Sequence, residues 1–354
     1  MSHQYTLQLH TGTFTKANYN VAQIQTKCDD LLAHIRGKDI IIGWNTDKES
    51  NRQLIDYFHT KGLRVLLWLP VLANNDELCD IKKSECCDGH SGKDFGCPSH
   101  LQNAHEVISL YETHFADLPF DGVFLDKIRF ASFSQGYEAG FGCFCPSCER
   151  ELDNGHLDYI KELIQKHDKK LMRGEYDRYG RYHFADSKVN AFYKQRAKII
   201  SDLVFKLAAY FNSRKLVVGT DLFAPILAYH VGQNIKEIAA MVDFVKPMMY
   251  THTQAPSGIP YEYEAYIRNF AEPESFSKHF PGGPLSNESL RTQLEYIANL
   301  PANIVPGIEI NVIQGVCHTD SASVKDHLAL FSRYPTIALC WDIMQISDDI
   351  ISVL

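Results

Sequence analysis

Cysteines and a carboxylate with metal-binding and catalytic potential lie close together in the middle of this chain. Residues 143–148 read Cys-Phe-Cys-Pro-Ser-Cys, and Asp126 ends an apolar run shortly before them. Three cysteines with this spacing let one backbone turn direct three sulfur atoms to a tetrahedral metal ion, at the ~2.3 Å of a zinc–thiolate bond. A fourth ligand must come from elsewhere, and we predict Cys97, which closes a polar stretch upstream. The predicted metal ligands are Cys97, Cys143, Cys145 and Cys148.

The other interpretations of these cysteines stay open at this point. Cys79, Cys86 and Cys87 lie in the same polar stretch and are alternatives for the fourth position or for a second ion. Free buried thiols are a further alternative, since cysteine packs as a small hydrophobic residue. Four thiolates would saturate a zinc ion, so the predicted zinc is structural rather than catalytic. A zinc ion bound there would also prevent thiol redox chemistry at the three-cysteine segment.

Length, charge and composition exclude several functional classes. The chain has 354 residues and a net charge of −8, with no long block of like charges, so we expect neither a nucleic acid nor a membrane as a partner. No apolar run reaches the ~20 residues of a membrane span, and no basic segment followed by an apolar one opens the sequence. We therefore expect a cytoplasmic protein whose ten cysteines are thiols or metal ligands. The sequence leaves open whether the protein forms a homo-oligomer.

Short β-rich apolar runs recur between longer segments with a helical period, and this alternation predicts the fold. The predicted strands are residues 5–9, 39–43, 64–69, 122–126, 216–221, 244–250, 304–310 and 336–342, and predicted helices include 51–61, 101–115, 187–212, 235–241, 287–299 and 321–334. Eight such units favour one α/β domain over residues 1–354, a closed (β/α)8 TIM barrel. Long loop insertions are expected at about 70–100, after strand three, and 127–186, after strand four.

Functional groups of a (β/α)8 barrel lie at the C-terminal ends of its strands, and this rule selects three carboxylates. Asp126 is predicted to act as nucleophile or base. Glu309 is preferred as the proton-donating acid because strands four and seven face each other across the barrel mouth, and Asp221 on strand five is its rival. The alternatives are a helix cap or ion pair for Asp126, and core carboxylates bonded to a lysine or to backbone for the other two.

Aromatic and polar side chains at the same strand ends are candidates for binding a sugar. Flat aromatic faces suit the C–H-rich faces of a pyranose ring, although each aromatic residue alone is equally compatible with packing. Arg129 is expected to keep Asp126 ionised. The candidate substrate-binding residues are His10, Trp44, Trp68, Arg129, Tyr250, His252, Asn311, Trp341 and Asp342.

The cysteine arrangement resembles that of the family 42 β-galactosidases among glycoside hydrolases. The zinc of that family is held by one cysteine after strand three and by Cys-x-Cys-x-x-Cys after strand four, the layout of Cys97 and residues 143–148 here. That family has an Asn-Glu pair where this chain has Asp126-Lys127. The resemblance therefore implies a structural zinc but does not carry over the catalytic pair.

The chain is more similar to barrels identified as hypothetical glycosyl hydrolases. Residues 121–126 read Asp-Gly-Val-Phe-Leu-Asp and precede the cysteine motif, as in those barrels, and segments 242–250 and 306–311 resemble their sixth and seventh strands. The resemblance implies a glycosidase acting on a carbohydrate substrate through a carboxylate pair. A carbohydrate-binding barrel without catalysis, carrying the same zinc, is the alternative, because one fold hosts many functions.

Overall fold

Eight parallel strands close into a ring in the computed structural model, which describes residues 3–14, 16–73, 80–153, 155–177, 181–270 and 282–354, with backbone alone for 91–94. Each strand pairs with the next one along the chain, and the first pairs with the last. The predicted (β/α)8 barrel is confirmed. Its strands are β1 (Gln4–His10), β2 (Gly37–Gly43), β3 (Arg64–Pro70), β4 (Gly122–Asp126), β5 (Val217–Phe223), β6 (Phe244–Met248), β7 (Gly307–Glu309) and β8 (Thr336–Cys340).

Helices follow the strands and surround the ring. Capping side chains fix several of their starts: Asp186 accepts hydrogen bonds from the backbone N–H groups of Lys188 and Val189 at the start of the longest helix. The helices are α1 (Val21–Leu32), α2 (Lys48–Thr60), α3 (Leu101–His114), α4 (Ser187–Ser213), α5 (Ile235–Ala239), α6 (Ile259–Phe270), α7 (Ser321–Leu330) and α8 (Asp348–Ile351), and a further helix, Asn287–Ile297, precedes β7. No helix among the described residues is long and apolar enough to cross a membrane.

Two strand boundaries differ from the prediction in ways that matter for the site. The seventh strand is split into Asn303–Ile304 and Gly307–Glu309, because Pro306 between them has no N–H group to donate to a neighbouring strand. β5 runs to Phe223, so Asp221 lies inside the strand rather than at its end. Asp221 consequently sits deeper in the barrel than the sequence indicates.

The segments after β3 and β4 carry secondary structure of their own. The first contains the antiparallel hairpin of Lys83–Glu85 and Ser91–Gly96. The second contains three short helices and a second hairpin, namely Tyr137–Phe141, Pro146–Leu152, Leu157–Gln165, and Gly174–Tyr176 paired with Tyr182–Phe184. Both segments rise from the C-terminal side of the barrel, next to Pro70 and Asp126. They therefore supply walls around the mouth.

The strands are buried on both faces, as expected of a parallel sheet covered by helices. In β3 every residue after Arg64 is buried. Side chains alternate between the two faces of a strand, so Phe244, Lys246 and Met248 of β6 share one face. Lys246 is fully buried and contacts Asp221 on the neighbouring strand. A lysine and an aspartate thus enter the barrel interior together.

Candidate active site

A half-open cavity of about 270 Å³ lies at the C-terminal ends of the strands. Side chains from seven of the eight strands or the residues directly after them line it, with further contributions from the loops after β6 and β7. The predicted site residues in its wall are His10, Trp44, Trp68, Asp126, Arg129, Asp221, Tyr250 and Trp341. We call this cavity the rim pocket. Most of the predicted set is therefore brought together at one place.

Three aromatic rings form a continuous wall of the rim pocket. The ring centroids of His10 and Trp44 are 5.1 Å apart, and those of Trp44 and Trp68 are 5.3 Å apart, both in edge-to-face geometry. Burial and the nearby Lys127 ammonium lower the pKa of His10, so its imidazole is neutral at physiological pH. The wall is therefore uncharged and aromatic, and one of its ring faces can pack against the C–H face of a sugar ring.

Asp126 ends β4 with its carboxylate held from two sides. Its Oδ2 accepts a hydrogen bond of 2.9 Å from the indole N–H of Trp68, and its Oδ1 accepts one of 2.5 Å from the backbone N–H of Lys127. Lys127 has a φ of 52°, in the left-handed region that a lysine rarely adopts. The chain thus turns sharply after Asp126, and such backbone outliers concentrate at functional sites.

Asp221 and Lys246 form a buried ion pair next to Asp126. Their charged atoms are 3.0 Å apart, and the Lys246 ammonium also donates to the Tyr250 hydroxyl at 2.8 Å. Burial raises the pKa of Asp221 to about 7, against the opposing effect of Lys246 and with a further increase from the Asp126 carboxylate. For Lys246, burial disfavours the charge, but its anionic neighbours, Asp221 first among them, raise the pKa overall. Asp221 is therefore a carboxyl group that can hold a proton near neutral pH.

Asp126 and Asp221 are lateral neighbours. Thr220 on β5 pairs with Leu125 on β4, so the next register position places Asp221 beside Asp126. Adjacent strands lie ~4.8 Å apart, and both side chains line the same pocket. Two carboxyl groups in different electrostatic settings thus meet at the rim pocket, an arrangement that separates acid and base roles.

The structure does not bring Glu309 to the rim pocket. Its side chain is fully buried, and its carboxylate accepts hydrogen bonds from the backbone N–H groups of Thr251, His252 and Thr253 at 2.8, 2.7 and 2.7 Å. Three such bonds occupy both oxygens and hold the segment after β6 against β7. The contacts of Glu309 are those of the core carboxylate bonded to backbone that the sequence left as an alternative.

Replacing Glu309 with glutamine should therefore destabilise the fold. Glutamine keeps one acceptor oxygen and turns an N–H group toward backbone donors, so at least one donor loses its partner. We expect a loss of roughly 2–4 kcal/mol in the free energy of unfolding, measured in urea. Unchanged stability together with lost turnover would instead show that Glu309 takes part in catalysis.

Three more predicted residues also lie outside the pocket wall. His252 contacts Glu309 at 3.6 Å, which raises the pKa of His252, and its other ring nitrogen lies 3.2 Å from the Ser323 hydroxyl. Asn311 accepts from the Trp341 N–H and donates to the Asp342 carbonyl, both at 2.7 Å. Asn311 thereby positions the backbone of Trp341 without facing the pocket.

Asp342 supports the base of the rim. Its carboxylate accepts hydrogen bonds from the Tyr19 hydroxyl at 3.2 Å and from the backbone N–H groups of His10 and Met344 at 3.4 and 3.2 Å. Burial raises the pKa of Asp342 to about 6. It therefore links β8 to the end of β1 and the segment carrying Tyr19.

Several pocket residues were missed by the sequence reasoning. Gln8 on β1 lines the pocket, is 1% exposed, and has no hydrogen-bond partner for either atom of its amide within the described ranges. The buried indole N–H of Trp44 likewise has none there. Buried polar groups are nearly always paired, so these atoms point to a polar ligand or water in the pocket. Gln8 lies two residues before His10, so both side chains share one face of the strand, and this spacing was the signal in the sequence.

A second site, outside the rim pocket, is formed by four buried cysteines. The sulfur atoms of Cys97, Cys143, Cys145 and Cys148 all lie within 4.8 Å of one another, and the Cys97 sulfur is 3.3 Å from that of Cys145 and 3.4 Å from that of Cys148. Sulfurs around a zinc ion with ~2.3 Å bonds are about 3.8 Å apart, so small outward shifts would accommodate a metal. The donor set fits a tetrahedral ion and leaves no coordination position for substrate.

The cysteine cluster joins the two long loops. The backbone N–H of Glu85 donates to the Cys143 sulfur at 3.3 Å, and the Phe144 N–H donates to the Glu85 carbonyl at 2.8 Å. Cys86 and Cys87 lie nearby outside the cluster, and the Cys87 thiol donates to Glu138. Cys79 lies outside the described residues. The spare cysteines of the described part are thus not ligands of this cluster.

Comparisons with known proteins bear on the fold. No protein-family model matches the chain, and no curated protein matches it. Among solved structures, a chitinase from Chromobacterium violaceum ATCC 12472 is similar over 99% of this chain and 97% of its own, with 9% identity and a TM-score of 0.51. The chain shares this barrel fold. The Ostrinia furnacalis Group IV chitinase matches over 97% and 93% of the two chains, with 10% identity and a TM-score of 0.46.

Proposed function

We propose that this protein is a glycoside hydrolase whose rim pocket binds one sugar ring beside the scissile bond. The observation that carries the proposal is the pairing of Asp126 with Asp221, two neighbouring carboxyl groups of which one holds a proton near neutral pH. Glycosidases use such a pair, one group as the acid and the other as the nucleophile or base. The aromatic wall supplies the sugar-facing surface, and the buried amide of Gln8 lies in the lining of the same pocket.

In the proposed mechanism, Asp221 donates its proton to the glycosidic oxygen while Asp126 attacks the anomeric carbon. The bond from that carbon to the leaving oxygen breaks and a bond to Asp126 forms. Water then replaces Asp126, and Asp221 takes up the proton. Retaining enzymes have their carboxyl groups ~5–5.5 Å apart, whereas inverting enzymes need ~6.5–9.5 Å. The spacing of neighbouring strands favours retention.

We infer that the cysteine cluster holds structural zinc. Four buried sulfur donors within 4.8 Å of one another support this, as does the resemblance of the cysteine layout to that of family 42 β-galactosidases. The ion would tie the loops after β3 and β4 together. The loop after β4 lines the rim pocket through Arg129, and Phe95 of the loop after β3 packs against Arg129.

The function is tested by incubating the protein with a broad panel of glycosides and oligosaccharides and following the products by proton NMR. Asp126→Asn is compared with the wild type on any substrate found, and we expect its turnover to fall at least ~100-fold with thermal unfolding near that of the wild type. Wild-type turnover in this variant would remove Asp126 from the mechanism. Binding of saccharides with no hydrolysis across the panel would favour a carbohydrate-binding barrel.

A further inference from the structure

Arg129 is a buried cation at the wall of the rim pocket. It is 5% exposed, and its guanidinium lies between the rings of Phe95 and Phe223, 4.4 and 4.3 Å from their centroids. One of its terminal nitrogens donates to the Phe130 carbonyl at 2.9 Å. Burial lowers the pKa of Arg129 to about 10, so it stays charged at neutral pH. The sequence-based expectation was that this charge serves Asp126.

The charge of Arg129 has no direct anionic partner in the part of the chain that the structure describes. Asp126 and Glu262 act on it only from beyond ion-pair distance. Of the other two buried cations in the described part of the chain, Lys246 is paired with Asp221, whereas Arg196 also has no ion pair but does not line the rim pocket. A buried charge without a counter-charge costs several kcal/mol, and because Arg129 lines the rim pocket, a ligand bound there can supply one.

The geometry of Arg129 selects the shape of that ligand. The rings of Phe95 and Phe223 both pack against its guanidinium, which favours contact with a ligand in the pocket through the N–H groups rather than through a face. The edge of a guanidinium presents parallel N–H donors, and these match the two oxygens of a planar carboxylate. A neutral hydroxyl would fill one of those donors and leave the charge uncompensated.

The charges around the rim pocket agree with an anionic ligand. The chain carries a net charge of −8, yet Lys127 and Arg129 line this pocket, and Lys246 lies behind Asp221. Asp221 neutralises Lys246 or is itself protonated, and Asp126 is the remaining carboxylate. Counting Lys127, Arg129 and Lys246 against Asp126 and Asp221 leaves one net positive charge, or two when Asp221 is protonated, which would favour an anionic ligand.

We propose that the saccharide bound in the rim pocket is acidic, a hexuronic acid residue whose carboxylate pairs with Arg129. This inference rests on the proposed function for its assignment of a sugar to the pocket. It adds a specificity determinant at the end of β4, three residues after Asp126. The sugar carboxylate would provide the counter-charge that Arg129 lacks.

The proposal is tested by calorimetric binding of small probes to the wild-type protein. The probes are methyl glycosides of glucuronic, galacturonic and mannuronic acid, each beside the methyl glycoside of the matching neutral hexose. We expect at least one acid to bind about tenfold or more tightly than its neutral partner, with the preference weakening as salt is added. Equal or tighter binding of all the neutral sugars would overturn the proposal. Tighter binding of hexose 6-phosphates or 6-sulfates than of every uronate would also overturn it.

Variants separate recognition of the carboxylate from support of the fold. Arg129→Met should abolish the preference for the acid, and Arg129→Lys should retain only part of it, because lysine keeps the charge without the planar pair of donors. Arg196→Met is the matched control, since Arg196 is also buried and packed against aromatic rings but does not line the pocket. An acid preference kept in Arg129→Met, or lost equally in Arg196→Met, would contradict a direct role.

Binding and hydrolysis give separable outcomes. Uronates bound without cleavage of any glycoside would retain this inference and reject the glycosidase. Cleavage of neutral glycosides with no preference for acids would retain the glycosidase and reject this inference. The comparison of wild-type affinities stands even if a variant fails to fold.

Discussion

Replacing Asp221 with asparagine is expected to lower kcat by roughly 10²–10⁴-fold, the usual contribution of a positioned general acid. Asparagine fills the same space next to Asp126 but has no proton to give to a leaving oxygen. The measurement is kcat on the substrate found in the glycoside panel, compared with the wild type at pH 6. Binding of that substrate should change much less than its turnover.

The pH dependence provides a second test of the same role. Because burial raises the pKa of Asp221 to about 7, the carboxyl group is protonated below this pH and loses its proton above it. Wild-type kcat should therefore fall as pH rises through about 7. Whatever rate remains in Asp221→Asn should show no such fall. A wild-type rate that stays level well above pH 7 would contradict Asp221 as the acid.

A double variant tests whether the loss of turnover in Asp221→Asn comes only from breaking the ion pair with Lys246. Above about pH 7, where Asp221 is ionised, Asp221→Asn alone leaves the Lys246 ammonium buried without its partner, and breaking such a pair costs about 3–5 kcal/mol. Adding Lys246→Met removes the stranded charge and should recover most of the lost stability, measured by urea unfolding. Turnover should stay low in the stable double variant. Recovery of turnover together with stability would mean that Asp221 acts only through the fold.

Removing the metal is expected to have the largest effect on stability. Protein purified without added zinc should contain close to one equivalent, and less than half an equivalent would rule out the zinc assignment. Stripping the metal leaves four buried thiols crowded together and frees two loops from each other. We expect the melting temperature to fall by roughly 5–10 °C, measured by calorimetry before and after chelation.

Single replacements locate the source of that stability. Cys97→Ser should lower both metal content and melting temperature, because Cys97 is the one ligand from the loop after β3. Cys28→Ala is the control, since Cys28 is a buried thiol on α1 outside the cluster. Full metal content in Cys97→Ser would place the fourth ligand elsewhere.

Much of the fold could be predicted because each strand leaves a local pattern. β4 was predicted with the bounds that the structure shows, as its apolar run ends at a carboxylate and begins at a glycine. β7 was less regular, since Pro306 interrupts its pairing. α1 was not predicted, although Asn20 and Gln23 form a capping box at its start. Local chemistry thus marks both ends of β4, whereas the capping box of α1 was overlooked.

The site was harder to predict because it depends on partners distant in sequence. Glu309 and Asp221 both read as carboxylates on apolar strands. What separates them is the set of backbone donors that Glu309 meets, 56 to 58 residues away, once the segment after β6 has folded against it. Lys246 is the lone cation of an apolar strand, and this indicates in the sequence that it has a buried anionic partner. Its pairing with Asp221 required the strand register.

The three tryptophans of the chain, Trp44, Trp68 and Trp341, all line the rim pocket. Indole emission excited at the red edge, where tyrosine does not absorb, therefore comes entirely from this one location. A saccharide that packs on the aromatic wall would change the polarity around these rings and displace water from them. The intrinsic fluorescence of the unmodified protein is thus a direct titration signal for occupancy, free of labels and of background from the rest of the barrel.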